Sequence, residues 1–172
     1  REGQDRVVHL DNMATTPLDP EVIEAMAPWW GGARFGNPHA ILSPAGRSAE
    51  TAVEEALAAI AAMIGASAGE IVLTSGATES DNLAIRGAAK ARAGRGKHLV
   101  TMPTEHKAVT DTFRALEREG YDVSWLRPSA GGVLDLDDLR NAMRDDTQLV
   151  SIMHVNNETG VIQDISAIGE LC

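Results

Sequence analysis

Apolar and polar positions alternate along the chain with two periods, and the switch between them predicts an α/β order. A short apolar run, Val7–Leu10, opens it. Asp19 followed by Pro20 reads as an N-cap and a proline at the first helical position, with Val22, Ile23, Met26 and Ala27 on one face and Gly31-Gly32 as the stop. After a loop over Phe35–Ser43, apolar residues at Ala49, Val53, Ala56, Leu57, Ile60, Met63 and Ile64 keep a helical period, so a long helix is predicted from Arg47 to Ile64, with Gly65 at its C′ position. Three strand–helix pairs follow. They are Glu70–Thr74 with Thr78–Ala93, His98–Met102 with Glu105–Glu119, and Tyr121–Leu126 with Leu136–Arg144, the last helix capped by Asp135. A long apolar strand over Gln148–Val155 and a helix capped by Asp164 complete the series. Strands separated by helices imply a mainly parallel sheet with helices on both faces.

The chain has 172 residues, the size of one ordinary domain. Only six residues are aromatic, three Trp, two Phe and one Tyr, so aliphatic side chains must fill most of the core. The charge, -10 from 15 basic and 25 acidic residues, excludes a global nucleic-acid-binding field and disfavours an anionic membrane surface. No apolar run reaches the ~18 residues of a membrane span, and Arg1–Leu10 lacks the apolar centre of a signal peptide. The one cysteine, Cys172, excludes an internal disulfide and a structural zinc site, and the absence of a disulfide framework suits the cytoplasm. The run Arg86–Lys97 carries five positive charges and no acid, which reads first as a solvated helix face and second as a docking patch for an acidic partner.

Several segments could carry chemistry. In Leu73–Ser80 a strand runs through small residues into a helix. Gly76 leaves room for a ligand, and the N–H groups of Ala77 and Thr78, with the Ser75 and Thr78 hydroxyls, would form an anion site at the helix N-terminus. The alternative is ordinary Ser/Thr capping. Neither a G-x-G-x-x-G fingerprint nor a P-loop is present, which disfavours a Rossmann nucleotide binder. His106, in Thr104-Glu105-His106-Lys107, follows the next strand and could stack on a ligand or exchange protons with it; equally, it could be a solvated helix-start residue. The polar turn Asn156-Asn157-Glu158-Thr159-Gly160 follows the most apolar strand and either meets a polar ligand or makes ordinary turn bonds.

Taken in order, Leu10–Pro17 (LDNMATTP), Phe35–His39 (FGNPH), Thr74–Leu83 (TSGATESDNL), Thr104–Val109 (TEHKAV) and Ser151–Gly160 (SIMHVNNETG) resemble class I cysteine desulfurases. These are pyridoxal-phosphate enzymes of the iron–sulfur-assembly and nitrogen-fixation type. The resemblance implies the aspartate-aminotransferase-like fold, with an N-terminal strand/helix segment over 1–34 and part of the large cofactor domain over 35–172. It implies removal of sulfur from L-cysteine to leave L-alanine, with a persulfide on an enzyme thiol that feeds iron–sulfur scaffolds or tRNA-thiolation carriers, and a homodimer. It implies that Ala77 and Thr78 sit at the cofactor phosphate and that His106 stacks on the pyridine ring and moves protons. It places Asn157 near the cofactor's phenolic oxygen and the substrate, and Ala14, Thr15, Thr16 and Asn37 near the mouth of the site.

Two departures stand out. Ser43 occupies a loop position where many relatives have histidine. The family's pyridine-nitrogen aspartate, Schiff-base lysine and persulfide cysteine all fall beyond residue 172, and Lys90, Lys97, Lys107 and Cys172 match none of them. The last predicted helix also has no closing residue, so the chain reads as the N-terminal portion of such an enzyme, truncated within a helix and inactive alone. Two other readings stay open: another fold type I lyase, such as a selenocysteine lyase, and a truncated non-catalytic binding module.

Overall fold

The computed structural model describes residues 8, 10–32 and 34–172. The chain divides into two compact units, the first ending at Leu73 and the second running from Thr74 to Cys172.

In the first unit, Asp19 caps α1 (Pro20–Met26) by accepting the Glu21 N–H at 2.8 Å, and a 3₁₀ turn over Ala27–Trp29 ends this stretch before Gly31. The apolar face predicted for this helix is not covered: Val22, Ile23 and Met26 are all exposed. Helix α2 (Pro44–Met63) begins three residues before the predicted Arg47. Ser43 supplies the reason. Its hydroxyl oxygen accepts the Gly46 N–H at 2.9 Å, and Pro44 takes the first helical position. Gly46 is buried because the preceding loop lies on it; a Cβ there would stand 2.0 Å from the Ala40 carbonyl oxygen. Gly65, with φ of 69°, follows the helix as predicted.

One predicted strand does not form. Ala68–Glu70 is a 3₁₀ turn with a Ser67/Glu70 capping box, and residues 71–74 have no ladder partner among the described residues. The apolar run Ile71-Val72-Leu73 has the composition of a strand, but a strand exists only where a neighbour accepts its N–H groups. Of the opening run Val7–Leu10, Val7 and His9 lie outside the described residues, and Val8 and Leu10 are in no strand.

The second unit is the α/β body. Helix α3 (Ala77–Ala91) leads to β1 (His98–Thr101), α4 (Lys107–Arg118) to β2 (Asp122–Trp125), and α5 (Leu136–Ala142) to β3 (Thr147–Ser151); α6 (Ile165–Leu171) closes the series. The strands form a parallel sheet of order β2-β1-β3. All four residues of the central β1 are buried, as expected for a strand covered on both faces. Leu99 packs on one face with Ile85, Ala89, Val109, Phe113 and Leu116, from α3 and α4. Val100 packs on the other with Leu126, Leu134, Leu139 and Ile168, from the α5 and α6 side. The period-two alternation of one strand therefore sorts the helices into two layers. Phe113, wholly buried, meets the Trp125 ring edge-on at a centroid distance of 6.1 Å.

The ends of these elements are shorter than predicted. Residues 152–155 leave the sheet, and Val155 instead makes an isolated antiparallel bridge to Ile162. Helix α4 starts at Lys107 rather than Glu105, because His106 is its N-cap. Helix α5 stops at Ala142, and Arg144 turns outward to Asp122 and Asp146. The register of β1 against β3 slips between His98 and Leu99, which leaves Gln148 as the extra residue of a bulge. The Gln148 side chain is buried, and neither its oxygen nor its nitrogen has a partner. Among the described residues no helix is long and apolar enough to cross a membrane, and no cluster of His, Cys, Asp or Glu could hold a metal.

Candidate functional site

Helix α3 begins at Gly76 without a side-chain cap, so its first-turn N–H groups, at Ala77 and Thr78, present the positive end of the helix dipole. A Cβ on Gly76 would meet nothing within 4 Å, so the space in front of the helix is open. Ser75 does not share in this end as the sequence suggests. Its N–H and hydroxyl both donate to the Glu79 carboxylate, at 2.8 and 2.6 Å, and these bonds hold the Glu79 pKa below its ordinary value. The donors left to an anion are therefore the helix amides and the Thr78 hydroxyl. Thr74 and Ser80 brace the same turn through a 2.7 Å hydroxyl–hydroxyl bond.

Thr78 and His106 come together along one cavity of about 420 Å³, whose walls also include Asn82, Arg86, Asp111 and Thr112. Helical spacing explains the α3 wall: Thr78, Asn82 and Arg86 are four residues apart and share a face. The α4 wall follows the same rule, with Lys107 and Asp111 four apart. Asn82 locks the two walls. Its Nδ2 donates to the Thr78 carbonyl at 2.9 Å, and its Oδ1 accepts the Thr112 hydroxyl at 2.8 Å. Asn82, Asp111 and Thr112 were not singled out from the sequence, although the 78/82/86 spacing was there to find.

His106 caps α4 by accepting the Ala108 N–H on Nδ1 at 3.1 Å. A ring nitrogen that accepts is unprotonated, so the neutral ring carries its proton on Nε2. The imidazole is thus held by its Nδ1 edge and exposed. Arg86, read from the sequence as part of a solvated basic face, pairs with Glu119 at 3.0 Å and still lines the cavity. Lys97, at the end of the same run, sits over the Tyr121 ring at 5.8 Å.

Asn157 lies in the turn after β3 and is not among the lining residues of that cavity. The turn is built by its neighbour: Asn156 Oδ1 accepts from the N–H groups of Glu158 and Thr159 and from the Thr159 hydroxyl, at 2.9 to 3.0 Å. The remaining sequence candidates belong to the first unit and are exposed. Ala14 donates its N–H to Asp11 Oδ1 at 3.3 Å, Thr15 follows it in an irregular segment, and Asn37 Oδ1 accepts the His39 N–H at 2.9 Å.

Known proteins extend this geometry. A cysteine desulfurase, IscS of Pasteurella multocida (strain Pm70), is 57% identical over 166 residues, which cover 96% of this chain and 41% of that protein. The chain therefore spans about two-fifths of the length of the curated relatives it matches. Among solved structures, a NifS-like protein superposes with a TM-score of 0.90 at 36% identity, over 94% of this chain and 44% of the other. SspA, solved in complex with cysteine, gives a TM-score of 0.88 at 41% identity, over 95% and 46% respectively. The sequence pattern of one family matches residues 8–172, nearly the whole chain, and by that match the chain belongs to the class-V aminotransferases.

Proposed function

We propose that this chain supplies the phosphate- and ring-binding part of a pyridoxal-phosphate-dependent cysteine desulfurase. The observation that carries the reading is the cavity shared by Thr78, in the uncapped first turn of α3, and the exposed imidazole of His106. The residues fit the cofactor. The amides of Ala77 and Thr78 would take its phosphate at the positive end of α3, and the bare backbone of Gly76 allows close approach. Arg86 and Lys107 add positive charge along the walls, partly offset by Glu119 and Asp111. When bound, pyridoxal phosphate supplies the electron sink that stabilises negative charge on the substrate's α-carbon.

The other tasks fall to the chain. The Asn82–Thr112 bond fixes the spacing between the phosphate end and the histidine end. His106, anchored through Nδ1, offers its ring face for stacking and its Nε2 for proton exchange. Asn157 would hydrogen-bond a phenolic oxygen or a substrate group from the β3 side. The reaction of the whole enzyme cleaves the carbon–sulfur bond of L-cysteine, leaving L-alanine, and passes the sulfur to a thiol as a persulfide. Desulfurase rather than another lyase is favoured by the identity to IscS and by the cysteine bound to SspA.

Equilibrium dialysis of this chain against pyridoxal phosphate tests the reading. Saturable binding is expected, with competition by inorganic phosphate. Thr78→Ala and His106→Ala should each weaken it about five- to ten-fold, the effect of roughly one hydrogen bond or stacking contact. No saturable binding, or binding indifferent to both substitutions, overturns it.

A further inference from the structure

The parallel strands β1 and β3 separate after Thr101 and Ser151, and each runs on into a segment that bears a proposed site residue. Three side-chain bonds keep these extensions together. The Thr101 hydroxyl donates to the Ser151 carbonyl at 2.9 Å, the last stitch between the strands themselves. Beyond it, the Met153 N–H has no backbone carbonyl opposite and donates instead to Glu105 Oε1 at 2.6 Å. Asn156 Nδ2 then donates to the Thr104 carbonyl at 2.8 Å. The two outer bonds cross from one extension to the other in opposite senses: Glu105 reaches towards β3's extension, and Asn156 reaches back.

Position along the chain gives these bonds their meaning. Glu105 immediately precedes His106, and Asn156 immediately precedes Asn157. Neither Glu105 nor Asn156 lines the cavity shared by Thr78 and His106. Both line a second, more enclosed space of about 270 Å³, together with Thr104, Met153 and Thr159. Glu105 is half-buried. Burial pushes its carboxyl above the ordinary value, the Met153 N–H opposes the rise, and Asp81 adds to it. A half-buried carboxylate is costly unless it is hydrogen-bonded, and the Met153 N–H is the partner that keeps Glu105 in this place. Asn156 is a hub of the same kind, since its oxygen gathers three donors of the turn while its nitrogen is committed to Thr104.

We infer that Glu105 and Asn156 are positioning residues that form a two-point clasp, which sets His106 and Asn157 at a fixed separation across the proposed cofactor site. The inference rests on the proposed reading of that site and adds to it the means by which two segments about fifty residues apart are held in register. Glu105 acts through its bond to Met153 and does not itself touch ligand.

The test uses amide hydrogen exchange and pyridoxal-phosphate affinity on four variants of this chain. The Ala108 N–H, which bonds His106 Nδ1, reports the position of that ring, and the Glu158 and Thr159 amides report the turn around Asn157. E105A should speed exchange at Met153 and Ala108 about ten-fold, the effect of losing one hydrogen bond to a charged group. E105Q keeps an acceptor for Met153 and should stay near wild type. N156D keeps the oxygen that builds the turn but loses the donor to Thr104, so it should reproduce the loss at Ala108 with the turn amides still protected. T78A should leave all these amides unchanged. Where wild type binds pyridoxal phosphate, E105A and N156D should weaken it about ten-fold and E105Q less than three-fold. If wild type shows no binding, the site reading falls and exchange alone decides the clasp. Unchanged exchange at Ala108 in E105A and N156D overturns the clasp, as does unchanged affinity in a binding protein. Should E105A fail to fold, exchange at Ala108 in N156D decides the clasp by itself.

Discussion

His98 offers a prediction that can be worked through from the structure. It is the first residue of the central strand and is fully buried, an unusual place for an imidazole. Both ring nitrogens are satisfied: Nδ1 by the Thr147 hydroxyl of β3 at 2.7 Å, and Nε2 by the Ser124 hydroxyl of β2 at 2.9 Å. One side chain therefore ties all three strands together. Burial lowers its pKa, the Arg144 guanidinium lowers it further, and Asp122 and Asp146 pull it back up. Replacing His98 with Leu removes two hydrogen bonds of about 1 kcal/mol each and leaves the Ser124 hydroxyl without its partner, so about 2–3 kcal/mol should be lost at pH 7.5. That is a large share of the ~5–15 kcal/mol typical of a domain.

The pH dependence has a definite sign. A histidine whose native pKa is depressed stays neutral in the fold while the unfolded chain, with a pKa of about 6.5, takes up a proton. The unfolded state then binds more protons, so the stability present above pH ~6.5 is lost as the pH falls through that value towards the native one. His98→Leu has no such proton to take up. Urea titrations at pH 7.5, 6.5 and 5.5, followed by the Trp125 indole N–H signal, measure both effects in the second unit. The gap between wild type and variant should be widest at pH 7.5 and narrow on acidification. A gap that stays constant to pH 5.5 would refute the claim that burial withholds the proton, and a variant as stable as wild type at pH 7.5 would refute the energetic value of the two bonds.

Two further substitutions probe packing. Gly46→Ala would drive a methyl group into the Ala40 carbonyl oxygen, 2.0 Å from its ideal position, and should destabilise the first unit by at least ~2 kcal/mol, seen as faster proteolysis within the loop at 36–43. Gln148→Met removes a buried amide whose two polar atoms lack partners, and should raise the urea midpoint of the second unit by about 1 kcal/mol equivalent; a lower midpoint would show that the amide is satisfied in solution.

Features decided within a few residues were legible in the sequence. Asp19, Asp135 and Asp164 cap their helices as predicted, each accepting an amide of the first turn, and Gly65 and Gly120 follow helix ends with positive φ. Thr78 and His106 could be picked out for the same reason, since each stands at a helix start. Residues that depend on a distant neighbour were not. Asn82, Arg86, Asp111 and Thr112 are ordinary helix-surface residues until α3 and α4 lie side by side and turn two polar faces into one cavity. Ile71-Val72-Leu73 has strand composition but no partner among the described residues, so composition alone misled. Glu105 looks like the first residue of a helix because acids favour that position. Its carboxylate is instead spent on the Met153 amide, and the helix waits for His106 to cap it.

That exchange of roles is informative about the site itself. A local rule would put Glu105 at the start of α4, where its charge would face the helix dipole in water. The fold places it half-buried, with a raised pKa, on an amide forty-eight residues away. It also gives the cap to a histidine, whose Nδ1 then serves the backbone while the rest of the ring stays exposed. Departures of this kind, where a locally better arrangement is given up, concentrate where function constrains the chain. By that argument substitutions at the junction of Glu105, His106 and the β3 extension should separate ligand affinity from global stability more cleanly than any in the hydrophobic layers.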